Sequence, residues 1–477
     1  MENASVFFKR IMLGLWLLLL VLTLLLMLGE GLRAPSYLLA MAAGALWAGA
    51  LFFLRRRGLL RAPRTDLRAA LIVAGLCFAL NLIWVLAVRI EPFSDYQTYW
   101  QLACALADGA EIPNARYIAM YPHILGTASF LSVFVKLFGP SVLAVTIVNV
   151  ALSSLSCLLI WLLTREFASG EAALLSALLW ALSPCKLMLN SLVFSEPLYT
   201  CLILLLLWLL LRLDGRFQRG EGSVPSAALW GLLLGAILLA VNIVRPIAAI
   251  LLIALALWLV FLRGDAVRDA ELWKRWGLAL AALLLVYSLG GRLWDRHVED
   301  TLGMEPASVP VYNIYVGFND ETQGQWSAED MDLLFSYLDQ GMTASEAQSH
   351  MLPHLKERLA SGVDFARLFR SKLIAFLGSD ELGGYSYRFT REPLFVKLCM
   401  GIDNVFYYGV YFAMLVSLLR RFLSRELGAW QLLPLYALGL TLAHLGVEVS
   451  TRYHYSIIPI FIIFAALGFT GEGRSTT

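Results

Sequence analysis

Four short stretches of this sequence set acids, cations and aromatic rings at the edges of long apolar runs, and chemistry could be done there. The first reads Arg89-Ile-Glu91-Pro-Phe-Ser94-Asp95-Tyr96, and the second runs from Lys186 to Ser195-Glu196-Pro197. The third is Asn242-Ile-Val-Arg245-Pro246, and the fourth Glu448-Val-Ser-Thr-Arg452-Tyr453-His454. A carboxylate within reach of a hydroxyl or amine can take its proton as it attacks. Arginine grips a phosphate with a bidentate fork and lysine meets it as a point charge. The set therefore suits proton removal at one end and neutralisation of a departing phosphate at the other. No glycine-rich phosphate loop accompanies it, so nucleotide chemistry is not indicated.

Each residue also has a plainer use. Ser94 or Asp95 could cap a helix, and Glu196 before Pro197 would favour the dipole of a helix start. Lys186, Arg245 and Arg452 could snorkel to lipid headgroups. Tyr96, Tyr121 and Tyr453 could belong to an interfacial aromatic belt. His123 and His454 could complete a divalent-metal site with Glu196 or Glu448, but their spacing carries no ligand pattern, and a hydrogen-bonded interfacial histidine is the simpler reading. Asn81, Asn149 and Asn242 read as interhelical hydrogen bonders.

The elements that must position these groups are membrane helices. Of 477 residues, 59% are hydrophobic and 15% charged, too little charge to cover a soluble surface or to sustain disorder. The net charge of +2 does not indicate a nucleic-acid partner, and the six cysteines show neither disulfide nor zinc spacing. Apolar runs at 11–28, 37–54, 69–88, 141–163, 172–189, 197–211, 227–244, 247–262, 276–289, 406–419, 430–445 and 456–469 predict about twelve spans. The stretch 121–138 decides the parity. Placed on the outer surface, it leaves the basic clusters Arg55–Arg57, Arg61, Arg64, Arg68, Arg165, Arg212, Arg216, Arg219, Arg263, Arg268, Arg420, Arg421 and Arg425 all cytoplasmic. Both termini then lie inside, and the acids of the four stretches lie outside.

Two external segments result, 89–140 and about 290–391. The second is the polar part of the chain. It carries helix starts at Ser327 and at Thr343-Ala-Ser-Glu346, the latter with capping-box spacing. Residues 364–377 form an amphipathic pattern that could rest on the outer leaflet or pack on the segment's own core. The expected organisation is a hairpin and basic loop over 1–64, a membrane module over 65–289, an external domain over 290–393 and closing helices over 394–477.

Carboxylates and cations outside, next to an apolar wall, suit transfer of a sugar from a lipid-phosphate carrier. From about Ala69 onward the sequence resembles the integral-membrane glycosyltransferases of the C superfamily. Within it, the likeness is to bacterial relatives of protein O-mannosyltransferases and of the lipid A aminoarabinose transferase, a family-39-like branch. The likeness rests on Asp95 in the first outer loop, Leu137-Phe-Gly139, Ser183-Pro184, Ser195-Glu196-Pro197-Leu198, Arg245-Pro246 and Arg452-Tyr453 before the last span. The late segment adds Tyr315-Val-Gly-Phe-Asn319 and Gly324-Gln-Trp326-Ser-Ala-Glu-Asp330. The resemblance implies an all-α, GT-C-like polytopic fold. It also implies a polyprenyl-phosphate sugar donor, an inverting transfer at the outer face, and Asp95 as general base. Glu196 joins Asp95 as a catalytic candidate. Arg245, Lys186 and Arg452 are candidates for the donor phosphate. Glu91, Tyr96, Tyr121, His123 and Tyr453 are candidates for the donor and acceptor groove. No cofactor is indicated, and a divalent metal stays open. The partners would be the donor, membrane lipids and an acceptor glycan, lipid or protein. Some relatives carry an acidic pair where this chain has Ser94-Asp95-Tyr96, and the first two spans lie outside the resemblance. A transporter or flippase, a lipid-diphosphate-dependent polymerase or ligase, and a non-catalytic scaffold are the competing readings.

Overall fold

The computed structural model describes residues 2–59, 64–221, 223–263, 269–307, 309–380 and 382–470; Arg61 and Arg268 lie outside the described residues. All twelve apolar runs become helix. Among the described residues, nine helices are single, long and apolar enough to cross a membrane. They include α1 (Glu2–Arg33), α2 (Pro35–Arg56), α3 (Leu67–Ala87) and, after the shorter helices α4 (Ser94–Asp108), α5 (Ala115–Met120) and α6 (His123–Phe138), α7 (Val142–Arg165). The run 172–189 divides into α8 (Gly170–Ala181) and α9 (Pro184–Asn190), bent by 50° where Pro184 begins the second piece. Then come α10 (Glu196–Gln218), α11 (Val224–Val244) and α12 (Ala248–Leu257), which continues as a π-turn to Leu262. With its π-turn α12 reaches about 22 Å, short of a ~30 Å hydrocarbon core. At 16 residues α6 is also short of that thickness.

The next helix, α13 (Ala270–Leu302), is 33 residues long, about 50 Å. The expected boundary at 290 falls inside it, so the expected span and the start of the segment expected outside form one rod. It packs closely on α11, because Gly231 and Gly235 let the backbones meet: a Cβ at Gly231 would stand 2.2 Å from Ala279 O. Four small helices follow: α14 (Val311–Gly317), α15 (Ala328–Asp339), α16 (Ala344–Ala360) and α17 (Phe365–Leu373). Ser327 and Thr343 cap α15 and α16, and Thr343 with Glu346 completes the expected capping box. Arg358 grips both oxygens of Asp330 at 2.8 and 3.0 Å. The cores of the two segments expected outside, 89–140 and about 290–391, are continuous. Tyr99, Leu102, Ile118 and Leu125 pack with Tyr312, Val316, Leu334 and Met351 as one apolar cluster.

The chain closes with α18 (Pro393–Leu423), α19 (Leu432–Gly446), a 3₁₀ segment Thr451–Ile457 and α20 (Ile458–Thr470). The N-terminal hairpin packs against this last module. Gly44 faces Gly409, where a Cβ would come 2.8 Å from Gly409 N, and Trp47 Nε1 donates to Val405 O at 2.8 Å. At the other end of α1, Lys9 Nζ donates to Ser424 O at 2.6 Å.

Candidate active site

Asp95 lies in the first turn of α4. The chain arrives there extended, and Ser94 at φ 46° turns it into the helix. Phe93 occupies the cap position without a side-chain bond, so neither Ser94 nor Asp95 is used as a cap. Asp95 reaches instead to the last module, where its Oδ2 meets Arg452 Nη2 at 2.6 Å. Arg452 is the hub. Its Nη1 donates to the Tyr96 hydroxyl at 3.1 Å and its Nε lies 4.0 Å from Glu196 Oε1. Glu196 is buried at the first turn of α10, with the Ser195 hydroxyl donating to its Oε2 at 3.2 Å. The Tyr96 hydroxyl in turn donates a hydrogen bond to the Tyr385 hydroxyl at 2.9 Å.

Arg245 comes to the same place from the end of α11. The close approach of α6 sets that end, since a Cβ at Gly126 would fall 2.2 Å from Ile243 O. The Arg245 guanidinium stands 4.5 Å from the Tyr453 ring centroid and 5.8 Å from that of Tyr199. Both contacts are cation–π. Among the described residues this guanidinium makes no ion pair and no hydrogen bond. Tyr453 also faces Arg452, at 5.5 Å, and donates to Glu448 Oε1 at 3.2 Å. His123, at the start of α6, feels both arginines, and burial lowers its pKa to about 3, so it is neutral. Tyr121 stacks edge-on to His123 at 6.3 Å. Asp95, Tyr96, Glu196, Arg245, Arg452 and Tyr453 thus form one connected cluster, with Tyr121 and His123 at its margin.

Two expected members lie elsewhere. Lys186 is fully buried in α9, donating to Asn81 Oδ1 at 3.1 Å and Ala181 O at 3.3 Å, with Asn190 completing that polar set. The 50° bend puts it inside the bundle instead of at an open helix end, so it does not join the arginines. Glu91 is exposed and lines a separate cleft of about 250 Å³ with Arg89, Ser141, Thr146 and Ser191. His454 also turns away, bonding Phe376 O through Nδ1 at 2.6 Å and stacking on Tyr407. Among the described residues no group of three or more His, Cys, Asp or Glu side chains is placed to hold a metal ion.

The carboxylate of Glu448, from the fourth stretch, belongs to the site as well, beside further members that motif reading passes over: Tyr99, Tyr199, Tyr385 and His444. Tyr99 is a helical turn after Tyr96 on α4, a periodicity visible in the sequence. The others come from distant elements, and only the fold joins them. The opposite end of the bundle is different in kind. From Glu196 at the cluster, α10 runs about 27 Å to Asp214, where Arg263 pairs with it at 2.9 Å, and Glu166 meets Arg212 nearby.

No family model and no curated protein matches the sequence. Among solved structures the chain is similar to ArnT from Cupriavidus metallidurans bound to undecaprenyl phosphate. The TM-score is 0.37 at 12% identity, over 84% of this chain and 77% of that one. The apo state of the same protein gives 0.35 at 11% identity, over 83% of this chain and 77% of that one. The chain is also similar to the archaeal oligosaccharyltransferase AglB from Archaeoglobus fulgidus, in complex with an inhibitory peptide and a dolichol-phosphate. There the TM-score is 0.45 at 13% identity over 82% of this chain, which spans about half of AglB, 49%. These are partial likenesses of fold and speak of fold alone. Among the described residues the chain is all-α, and its nine long apolar helices make it a multi-pass membrane protein.

Proposed function

We propose that the protein is a glycosyltransferase that moves a sugar from a polyprenyl-phosphate carrier to an acceptor at the outer face of the membrane. The supporting observation is Arg245, a guanidinium held between two tyrosine rings with no anion of its own among the described residues. A cation kept in that state is built to receive an anion. Arg452 beside it supplies a second fork. On this reading the carrier phosphate binds Arg245 and Arg452, while its polyprenyl chain lies along the helices. The acceptor oxygen or nitrogen attacks the anomeric carbon from the face opposite the phosphate. The bond from that carbon to the phosphate oxygen breaks as the new glycosidic bond forms, which inverts the centre. Asp95 takes the acceptor proton, and the polyprenyl phosphate leaves with its charge held by the arginines. Glu196 orients Arg452 from the buried side. The basic ends of the helices lie at the far side from the cluster, which by the positive-inside rule supports a site at the outer face.

The test is binding of undecaprenyl phosphate to the full chain in lipid nanodiscs. Arg245→Gln should weaken it by about ten- to a hundredfold, the worth of one charge-assisted contact of ~1.5–3 kcal/mol. Unchanged binding in that variant refutes the phosphate site.

A further inference from the structure

Glu448 has no part in the transfer just described, yet it sits where the external segment meets the site. Residues 447–450 join α19 to the 3₁₀ turn that carries Arg452 and Tyr453. The external segment holds this link by its main chain: Glu448 N donates to Asn313 O at 2.8 Å and Val449 N to Gly324 O at 2.9 Å. Gly317 presses on it so closely that a Cβ there would stand 2.5 Å from the carbonyl carbon of Val447. Lys372 Nζ bridges Gly317 O at 2.7 Å and Leu445 O at 2.9 Å. With its backbone fixed this way, Glu448 offers Oε1 to the Tyr453 hydroxyl at 3.2 Å. The Tyr453 ring is then sandwiched, with Arg245 at 4.5 Å and the His444 ring stacked at 5.2 Å. His444 Nδ1 returns to Glu448 O at 3.0 Å, which closes the loop.

We infer that Glu448 is a positioning residue that aligns Arg245 through Tyr453, and that its own charge sets the affinity of the site for anionic carriers. The inference rests on the phosphate-binding reading of Arg245 and Arg452. The groups facing Glu448 are Tyr453 and Arg452 from the 3₁₀ turn, Arg245 after α11 and Asp95 from α4. Lys372 from α17, Tyr312 from α14, Tyr121 before α6 and His444 from α19 complete its surroundings. Burial raises the Glu448 carboxyl above its ordinary value, against the pull of the Tyr453 hydrogen bond and the two arginines. The sign follows. At low pH Glu448 is neutral and both arginines are available to phosphate. As pH rises through its pKa, a negative charge appears beside them and opposes the incoming anion.

The experiment measures undecaprenyl phosphate binding to the full chain in nanodiscs over a pH series that starts in the ordinary carboxyl range and runs upward. Wild type is compared with Glu448→Gln at each pH, so the probe's own phosphate titration cancels in the ratio. Glu448→Gln keeps the volume and the oxygen that accepts from Tyr453, and so tests the charge alone. It should match wild type at the acid end and bind on the order of tenfold tighter at the alkaline end, the effect of one unit charge several ångström away. Glu448→Ala should bind more weakly than Glu448→Gln throughout, because Tyr453 loses its anchor. A Gln variant that tracks wild type at every pH, or that behaves like the Ala variant, overturns the inference. Arg245→Gln in the same series separates the failures. If it loses binding while the Gln variant tracks wild type, only the role of Glu448 falls. If it binds normally, the phosphate reading falls and takes the role of Glu448 with it.

Discussion

Replacing Asp95 with Asn should move two readouts in opposite directions. At rest Asp95 Oδ2 lies 2.6 Å from Arg452 Nη2, so the carboxylate occupies a guanidinium edge that the carrier phosphate would use. Two unit charges about 4 Å apart attract by about 4 kcal/mol at an effective dielectric of ~20. Asp95 is 39% exposed, so solvent screens the pair and about 1 kcal/mol remains. The amide keeps the shape and an acceptor oxygen but drops the charge. Arg452 is then released to the phosphate, and undecaprenyl phosphate should bind roughly fivefold tighter, as 1 kcal/mol requires. Turnover should fall by about 10² to 10⁴, the usual loss when a general base is removed. A titration of undecaprenyl phosphate against both proteins, beside single-turnover transfer from an undecaprenyl-phosphate-linked sugar, reads both effects. Wild-type turnover in the variant would refute the proton-acceptor role. Weaker carrier binding would refute the competition for Arg452.

Other outcomes separate the groups inside the site from those outside it. Lys186→Met should leave carrier binding unchanged and the thermal transition equal or higher. The change removes a buried cation whose partners, Asn81 and Ala181 O, are neutral; a marked loss of binding would return Lys186 to the site. Lys372 is a pH test. Burial lowers its pKa from 10.5 to about 8, so between those values the folded chain binds fewer protons than the unfolded one. Stability from this group therefore rises with pH across that window, while below about 8 its burial cost is fully present. Lys372→Met should flatten that rise in a pH series of thermal unfolding, and an unaltered slope would show that Lys372 is already solvated.

Much of the fold could be read because membrane helices declare themselves by length and hydropathy, which need no tertiary context. The capping box at Thr343 is equally local and forms as expected. The bend between α8 and α9 was visible only as Pro184, and its size decides where Lys186 goes. A proline says that the helix is interrupted, but the angle depends on what packs on either side. The site was half legible for a related reason. Asp95, Glu196, Arg245 and Arg452 stood out because charge next to an apolar run is costly and conspicuous. Glu448 stood in the same stretch as Arg452. Its hydrogen bond to Tyr453 and its grip by Asn313 and Gly324 depend on the external segment folding over it. Lys372 looked like a solvated face of an amphipathic helix, yet it is buried between Gly317 and Leu445. Its neighbours are carbonyls, which sequence periodicity does not reveal.

The seating of the N-terminal hairpin on the last module has a consequence for biosynthesis. Trp47 and its acceptor at Val405 are 358 residues apart. At ~5–20 residues per second, about 20 to 70 seconds separate the emergence of the two. For that interval the face of α2 around Gly44 and Trp47 has only lipid, or a membrane chaperone, to lie against. The turn bearing Arg452 is made later still, so the hub of the site joins Asp95 only after α18 and α19 have been synthesised. A polypeptide stalled or cut anywhere before Arg452 would therefore hold Asp95 without its ion-pair partner, and would be inert until the closing helices arrive.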